Sequence, residues 1–416
     1  MICPAHVAAG SAAARRPGMV FPGRRRTAGT RHRGLAPAPP GGVALLSALV
    51  AIILLAVLAA GAMHLGRGDF QRSRDERVAR QAGNAADAGA YDLLRRWPLV
   101  PHEALPVGAV LGPDTMQLAG GTAVARAVRA SRTTWWVTSA GRAGDSLART
   151  LARRSVAVAL RLAIPDIPAN AALVVRDSVA VAGSARVMGS DTLPSALAAH
   201  CPSAAPAPAA AIAMPDTTRL CDGTCGGGSV SGRITGAPPL LTDSSAALPA
   251  RFRAFGPEHW ATLTRHAAIV LPPGSVVTPA PAVSGGRCDR LRADNWGDPS
   301  GSGACATYAP LIWATGDLRL QGGAGQGVLL VDGDLVLEAG ARFSGVVIAL
   351  DDVVSTGAGG TLLGAVLAAD ARVAAGDYSR LDGSTLVQRS SCAAALALEW
   401  SARLVPVTQR AWHPLR

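Results

Sequence analysis

The stretch GVLLVDGDLVLEAGARFSGVVIALDDVVSTGAGGTLLGAVLAAD, residues 327–370, decides the fold class because it repeats itself. Three similar apolar runs begin at Gly327, Gly345 and Gly364. Aspartates recur in step with these runs, at Asp317, Asp334, Asp352 and Asp370. Each unit holds two short β runs between Gly-rich turns, and a single unit cannot bury its apolar face. Stacking solves this problem, so the repeat predicts a short right-handed parallel β-helix over residues 313–390.

Matching positions in successive repeats carry large apolar residues, which predicts that Leu329, Val347 and Val366 stack in one core row. We interpret the repeated aspartates as turn residues that bond to their own backbone. The alternative is a row of acidic residues in a polysaccharide hydrolase or lyase. The helical pattern in residues 391–416 predicts a C-terminal cap over one end of the stack, because an open sheet edge would otherwise pair with another chain. Such pairing with a partner subunit is the alternative.

The composition agrees with a mainly β protein. Of the 416 residues, 49% are hydrophobic but only 4% are aromatic, and Gly (47) and Pro (29) are abundant, which favours short strands and turns. Within residues 98–200 we predict strands at 133–138 and 156–162, and two more within 172–187. These strands should form one small sheet against a helix.

A single apolar run, VALLSALVAIILLAVLAAGAM (43–63), precedes the β region and is long enough to cross a bilayer. A cleaved signal peptide is the alternative, but its apolar core is usually shorter. The helical pattern continues to Trp97, where Pro98 stops it. One face of this continuation carries Val78, Ala82, Ala85, Gly89, Leu93 and Trp97.

The distribution of charge predicts the orientation. Residues 1–42 contain seven arginines and no acid, out of a net charge of +12. The positive-inside rule places this segment, predicted to be disordered, in the cytoplasm. The chain is then a single-pass protein of the inner (cytoplasmic) membrane with its C-terminal bulk periplasmic or extracellular. No basic stripe interleaved with aromatic residues is visible in the sequence, so we predict no nucleic-acid partner.

Cysteines define the Gly- and Pro-rich region 201–312. Six of them lie in the predicted external part: Cys201, Cys221, Cys225, Cys288, Cys305 and Cys392. An even number in an exported protein predicts three disulfides. We expect Cys288 to pair with Cys305 across one loop, and leave the other pairings open. CDGTC (221–225) lacks a second close pair for zinc, so no metal site is predicted.

No known catalytic motif or convergent set of titratable residues is present in the sequence. GGAGQG (322–327) imitates a nucleotide-binding loop but precedes a predicted strand, so no helix N-terminus would face a phosphate. The sequence therefore predicts a protein that is not an enzyme and has no cofactor.

The basic leader ending at Gly42, the apolar run and the continuation RSRDERVARQAGNAADAGAYDLLRRW (72–97) together resemble the N-terminus of PilX-type minor pilins and related type IV pilus assembly proteins. The resemblance implies that a prepilin peptidase cuts after Gly42, that Val43 becomes the N-terminus, and that other pilin-like subunits are partners. Position five of the mature chain is Ser47, where major pilins carry Glu. The repeats also resemble bactofilin-like β-helices. The implied function is that of a minor pilin or pilus assembly component; the alternative is a surface adhesin or carbohydrate-binding module on a membrane anchor.

Overall fold

The structure is a computed structural model that describes most of the chain after the leader. The described residues are 43–99, 102–103, 105–144, 151–201, 208–222, 224–225, 232–355, 357–370, 378–407 and 412–415. The chain divides into two compact units between Phe70 and Gln71. The described part of the first unit is helical, and the second unit is mainly β.

Helices are few in the described residues. The α-helices are α1 (Val43–Arg95), α2 (Trp260–Arg265) and α3 (Ser391–Trp400). Short 3-10 helices span Trp97–Leu99, Ser195–Leu197, Thr217–Arg219, Ser244–Ala247 and Pro249–Phe252. The long N-terminal helix predicted from the sequence is therefore present.

The strands are numbered in chain order. The first fourteen are β1 (Val110–Leu118), β2 (Gly121–Arg129), β3 (Thr134–Gly144), β4 (Leu151–Ala163), β5 (Ala171–Val175), β6 (Val179–Val181), β7 (Arg186–Met188), β8 (Ala210–Met214), β9 (Leu220–Asp222), β10 (Thr224–Cys225), β11 (Ile234–Thr235), β12 (Leu240–Thr242), β13 (Ala254–Phe255) and β14 (Glu258–His259). The others are β15 (Ile269–Leu271), β16 (Ser275–Val277), β17 (Val283–Ser284), β18 (Arg287–Cys288), β19 (Leu311–Ala314), β20 (Leu318–Leu320), β21 (Ala324–Val331), β22 (Leu335–Leu337), β23 (Arg342–Ala349), β24 (Val353–Ser355), β25 (Thr361–Ala368), β26 (Ser379–Leu381), β27 (Leu386–Arg389), β28 (Arg403–Pro406) and β29 (Trp412–Leu415).

An antiparallel sheet follows the long helix. Its order is β1-β2-β3-β4-β28, with β29 also paired to β4. The predicted strands at 133–138 and 156–162 are confirmed within β3 and β4. Burial alternates along β3, as expected for a sheet that buries one face and exposes the other.

Most of the remaining strands form two sheets with mainly parallel pairing. One has eight strands in the order β10-β9-β6-β26-β24-β22-β20-β16, and the main path of the other is β11-β7-β27-β25-β23-β21-β19-β15. Both sheets contribute side chains to one hydrophobic cluster. Leu329, Val347 and Val366 are successive register partners in that cluster, so the predicted core row is confirmed.

Not all strands predicted for residues 98–200 join the sheet beside the long helix. Residues 172–187, expected beside the long helix, form β5, β6 and β7, which pair in parallel with β25, β26 and β27. The stack therefore also includes strands from 98–200 and 201–312, and its spatial order differs from its chain order. A short apolar run predicts a strand, but it does not specify which sheet the strand joins.

Glycine sets the spacing of the repeats at one row. Gly327, Gly345 and Gly364 are register partners with φ of 125°, 138° and 138°, a region that disfavours side chains. A Cβ on Gly345 would overlap the carbonyl oxygen of Gly327, and one on Gly364 would overlap that of Gly345. The glycines that begin each apolar run are thus required by the backbone.

The sequence predicted that the C-terminal helix covers one end of the stack. Helix α3 instead packs against the middle of the larger parallel sheet. Its Ala394 and Ala397 pack with Val328, Val346 and Ala365 in a second hydrophobic cluster, on strands in the middle of the larger parallel sheet. The physical reason is that glycines leave a shallow place there: a Cβ on Gly345 would lie 2.8 Å from the Cβ of Ala397.

We predict that Val347→Asp lowers the free energy of unfolding by at least about 3 kcal/mol, because it buries an unpaired carboxylate. Val347 is 1% exposed. The matched control is Val276→Asp at a position 56% exposed in the same stack, where we expect a change below about 0.5 kcal/mol. Thermal unfolding of the full-length protein in detergent measures both. Equal losses would contradict the assigned core row.

Candidate membrane anchor and helix-bound sheet

The N-terminal part of α1 exposes apolar side chains along its length. Leu45, Ile52, Leu55 and Leu58 are all more than half exposed. In the described part of the chain, α1 is the one helix long and apolar enough to cross a membrane, with a mean hydropathy of 2.8 in its most apolar window. A surface of this kind is suited to packing against lipid or other apolar helices.

The predicted processing site lies at the edge of the described residues and stays a prediction. α1 begins at Val43, while Gly42 lies outside the described residues. Ser47, at the fifth position of the implied mature chain, is an exposed residue of α1.

The C-terminal part of α1 behaves differently, because one of its faces is buried. Val78, Ala82, Ala85 and Leu93, and Trp97 just beyond the end of α1, lie on the face predicted from the sequence, and each is less than 5% exposed. Leu93 and Trp97 share a cluster with Ala125, Ala127, Trp135, Val137, Val158 and Leu160 of β2, β3 and β4. The helix and the antiparallel sheet therefore form one packed layer pair.

Small residues bring this helix close to the sheet. A Cβ on Gly89 would lie 2.7 Å from both the Ala123 Cβ and the Ser139 Oγ. A Cβ on Gly141 of β3 would overlap the carbonyl oxygen of Ala82. Small residues at Gly89 and Gly141 are thus required by the packing of the helix against the sheet.

Aromatic rings close the end of the layer pair. Trp97 stacks on His102 with ring centroids 4.2 Å apart and meets Trp135 edge-on at 4.9 Å. Trp135 is 1% exposed, whereas its neighbour Trp136 is 45% exposed on the other face of the sheet. Trp135 therefore belongs to the core, whereas Trp136 does not.

Buried ion pairs connect this layer pair to the parallel sheets. The Glu399 carboxylate of α3 accepts hydrogen bonds from Arg129 (3.3 Å) and Arg132 (2.7 Å). Arg290 donates two hydrogen bonds to Glu103, at 2.8 and 2.9 Å. Removing one partner of such a pair would leave a buried charge, which costs about 3–5 kcal/mol.

A cleft of about 430 Å³ lies beside these contacts. Its lining includes Tyr91, Trp97, His102, Tyr308 and Trp400. Burial raises the pKa of Tyr308 to about 12, so the phenol stays protonated at neutral pH.

The structure pairs Cys288 with Cys305, as predicted from their loop, with Cα atoms 4.9 Å apart. A second disulfide joins Cys201 to Cys392 of α3, with Cα atoms 5.6 Å apart. Cys221 is also disulfide-bonded, and its register partner in the β9–β10 pair is Cys225. The sequence did not indicate the Cys201–Cys392 pairing, because 191 residues separate the two cysteines.

The repeated aspartates link neighbouring repeats. The backbone N–H of Asp334 donates to Asp317 Oδ1 (3.0 Å), and that of Asp352 donates to Asp334 Oδ1 (3.1 Å). Our interpretation that each aspartate bonds to its own backbone is therefore wrong for these two contacts, because in a parallel stack the nearest N–H belongs to the next repeat. Asp370, buried at the end of this series, has a φ of 44°.

Sequence reasoning also missed a cluster of three carboxylates. Asp334, Asp351 and Asp352 each offer an oxygen within 4.8 Å of the others, which is the spacing of a possible cation site. Two of the three carboxylates also bond within the stack: Asp334 accepts the Asp352 N–H, and Asp352 accepts the Ser379 hydroxyl at 3.0 Å. These bonds give Asp334 and Asp352 a role in the turns.

Comparison with known proteins does not identify a family for this chain. No protein-family model and no curated protein matches, so the resemblances to PilX-type and bactofilin-like proteins stay predictions. Among solved structures, the competence-associated pilin ComZ from Thermus thermophilus is similar at 12% identity, over 82% of this chain and 97% of that one, with a TM-score of 0.19. A TM-score this low establishes no shared fold, so the functional argument uses this chain's own residues.

We predict that Gly89→Ala destabilises the protein by about 1–3 kcal/mol, because its Cβ meets Ala123 and Ser139. Gly83→Ala, in the same helix but with no atom within 4 Å of the added Cβ, should stabilise by about 0.5–1 kcal/mol. Chemical unfolding of the full-length protein in detergent distinguishes the two signs. Stabilisation by both variants would show that the helix does not pack on the sheet at Gly89.

We also predict that loss of the Cys201–Cys392 disulfide destabilises more than loss of Cys288–Cys305. The sequence separations are 191 and 17 residues, and a longer closed loop restricts the unfolded chain more, by roughly 5 against 3 kcal/mol. The paired variants Cys201→Ser/Cys392→Ser and Cys288→Ser/Cys305→Ser, compared by thermal unfolding without reductant, measure this order. The reverse order would contradict the loop argument, and a peptide map without these crosslinks would contradict the pairing.

Proposed function

We propose that this chain is a non-enzymatic, membrane-anchored exported protein of the minor pilin or type IV pilus assembly class. The observation that carries the proposal is the two-part helix α1. Its first part carries no charged side chain from Leu45 to Met63 and exposes large apolar ones, while its second part buries an Ala- and Gly-rich face in an antiparallel sheet. An apolar segment followed along the chain by a helix face that packs in a folded domain suits a membrane-anchored subunit.

The leader supports the same proposal. A basic segment ending in Gly42, followed at once by an uncharged helix, places a candidate cleavage bond next to the membrane, on the cytoplasmic side. Removal of the leader would leave the Val43 amine at the start of α1. Ser47 cannot pair with such an amine as a carboxylate would, which favours a role at a filament tip or in assembly over repeated incorporation along a filament.

The large β part is then the exported domain. We propose that the two mainly parallel sheets are walls of one right-handed β-helix, since their strands alternate along the chain and share one core. Disulfides and short turns suit a domain that works outside the cytoplasm. The second candidate function, an adhesin or carbohydrate-binding module, is favoured by one exposed face of the antiparallel sheet.

We predict that co-production with a prepilin peptidase removes residues 1–42 and leaves Val43 as the N-terminus. N-terminal sequencing of the membrane-extracted protein checks this. Gly42→Asp should block the cut because it places a charged side chain at the cleaved bond, whereas Gly41→Ala, one residue away, should leave it intact. An uncut chain, or a cut beyond Met63 typical of a signal peptide, would contradict the proposed class.

A further inference from the structure

The outward face of the antiparallel sheet collects arginines that are scattered in the sequence. α1 covers the face that carries Ala123, Ala125 and Trp135. The opposite face presents four exposed arginines: Arg126, Arg142, Arg153 and Arg161. Register places Arg142 directly opposite Arg153, Arg126 opposite Thr138, and Arg161 opposite Thr134. We call this surface, with the exposed Trp136, the basic face.

The basic face has no balancing acid among the described residues of β1–β4. Cross-strand partners share a face, so the register identifies the other outward residues of these strands. They include Val110, Thr115, Gln117, Thr122, Val124, Val128, Thr134, Thr138, Ala140, Ser155, Ala157, Ala159 and Ala163. None of the four arginines forms an ion pair with a described residue, whereas Arg319, Arg380 and Arg403 each pair with an acid. Four like charges on one face repel each other, so an anionic partner would be favoured there.

Shape adds to the charge. An open depression of about 310 Å³ is lined by Arg126, Arg142 and Arg153, with Thr138 and Ser155 between them. The small side chains form the floor of the depression, and the longer arginine side chains form its rim. Anionic groups of a ligand can therefore reach several arginines at once.

The length of the face indicates a polymer. Arg153 and Arg161 lie eight residues apart on β4, which at about 3.3 Å per residue is roughly 26 Å. One small anion cannot span that distance, but a chain with repeated charges can. Trp136 lies on the same face and offers an apolar ring among the charges.

We propose that the basic face binds an acidic polysaccharide whose carboxylates are held by the arginines while a sugar ring packs on Trp136. The planar guanidinium fork matches a carboxylate in a bidentate way. Single-stranded nucleic acid, the other extended polyanion, is bound by several aromatic side chains on which successive bases stack, and one exposed ring is present among the described residues of this face. The inference does not depend on entry into a filament.

The test uses the full-length protein in detergent with three polymers immobilised on sensor surfaces: alginate, uncharged dextran and poly-dT. We expect binding to alginate and none to dextran. Arg126→Gln/Arg142→Gln should weaken alginate binding by about tenfold or more, because each substitution removes one contact between an arginine and a carboxylate of the polymer. The matched control, Arg253→Gln/Arg287→Gln, removes the same charge from exposed arginines elsewhere and should change binding less than about twofold.

Two more variants keep the test decisive. Arg126→Lys/Arg142→Lys retains the charge but loses the fork, and should weaken binding by several-fold. Trp136→Ala should weaken alginate binding even in high salt, where charge contacts are screened. Each variant is first checked for an unchanged melting temperature. Absence of alginate binding, equal losses in both glutamine variants, or tighter Trp136-dependent binding to poly-dT would each overturn the proposal, the last in favour of a nucleic acid.

Discussion

The approach of one backbone to the next at Gly327, Gly345 and Gly364 is the constraint on which the parallel stack depends. At each of these positions a side chain would overlap a carbonyl oxygen of the preceding repeat. The same absence of side chains lets Ala397 of α3 settle on Gly345. A larger residue in this row would push the neighbouring repeats apart and would also push α3 away from the sheet. The packing of the repeats and the packing of the helix therefore depend on the same glycines.

Helix α3 passes this constraint on to the rest of the domain. Its first turn holds Cys392, which is bonded to Cys201, and its last turn holds Glu399, which accepts from Arg129 and Arg132 beside the antiparallel sheet. A ten-residue helix thus joins the stack, a disulfide loop and the helix-bound sheet. Since the Glu399 carboxylate is buried, loss of its arginines would cost more than loss of a surface pair, and the orientation of the two sheet systems is correspondingly specific.

Sequence patterns predicted the elements whose signals are local. The apolar run and small-residue face of α1, the strands within β3 and β4, the Leu329–Val347–Val366 row and the Cys288–Cys305 loop all follow from short spacings. The pairing of β5 with β25 did not, because an apolar pentapeptide fits many strand neighbours equally well. The Cys201–Cys392 disulfide could not be predicted either, because the topology of the fold brings these two cysteines together and their spacing in the sequence does not indicate it.

The basic face is a further case of this kind, and it reverses one step of the sequence argument. Arg126, Arg142 and Arg153 fall on three different strands, so no basic stripe is visible along the chain. A side-chain period of two puts each on the outward side of its own strand, and antiparallel register then brings them into one row. Residues 43–416 carry only a modest part of the net charge of +12, but several of their arginines are concentrated on this one face. Because binding of polyanions responds to local charge density, the face and not the total charge decides what the domain attracts.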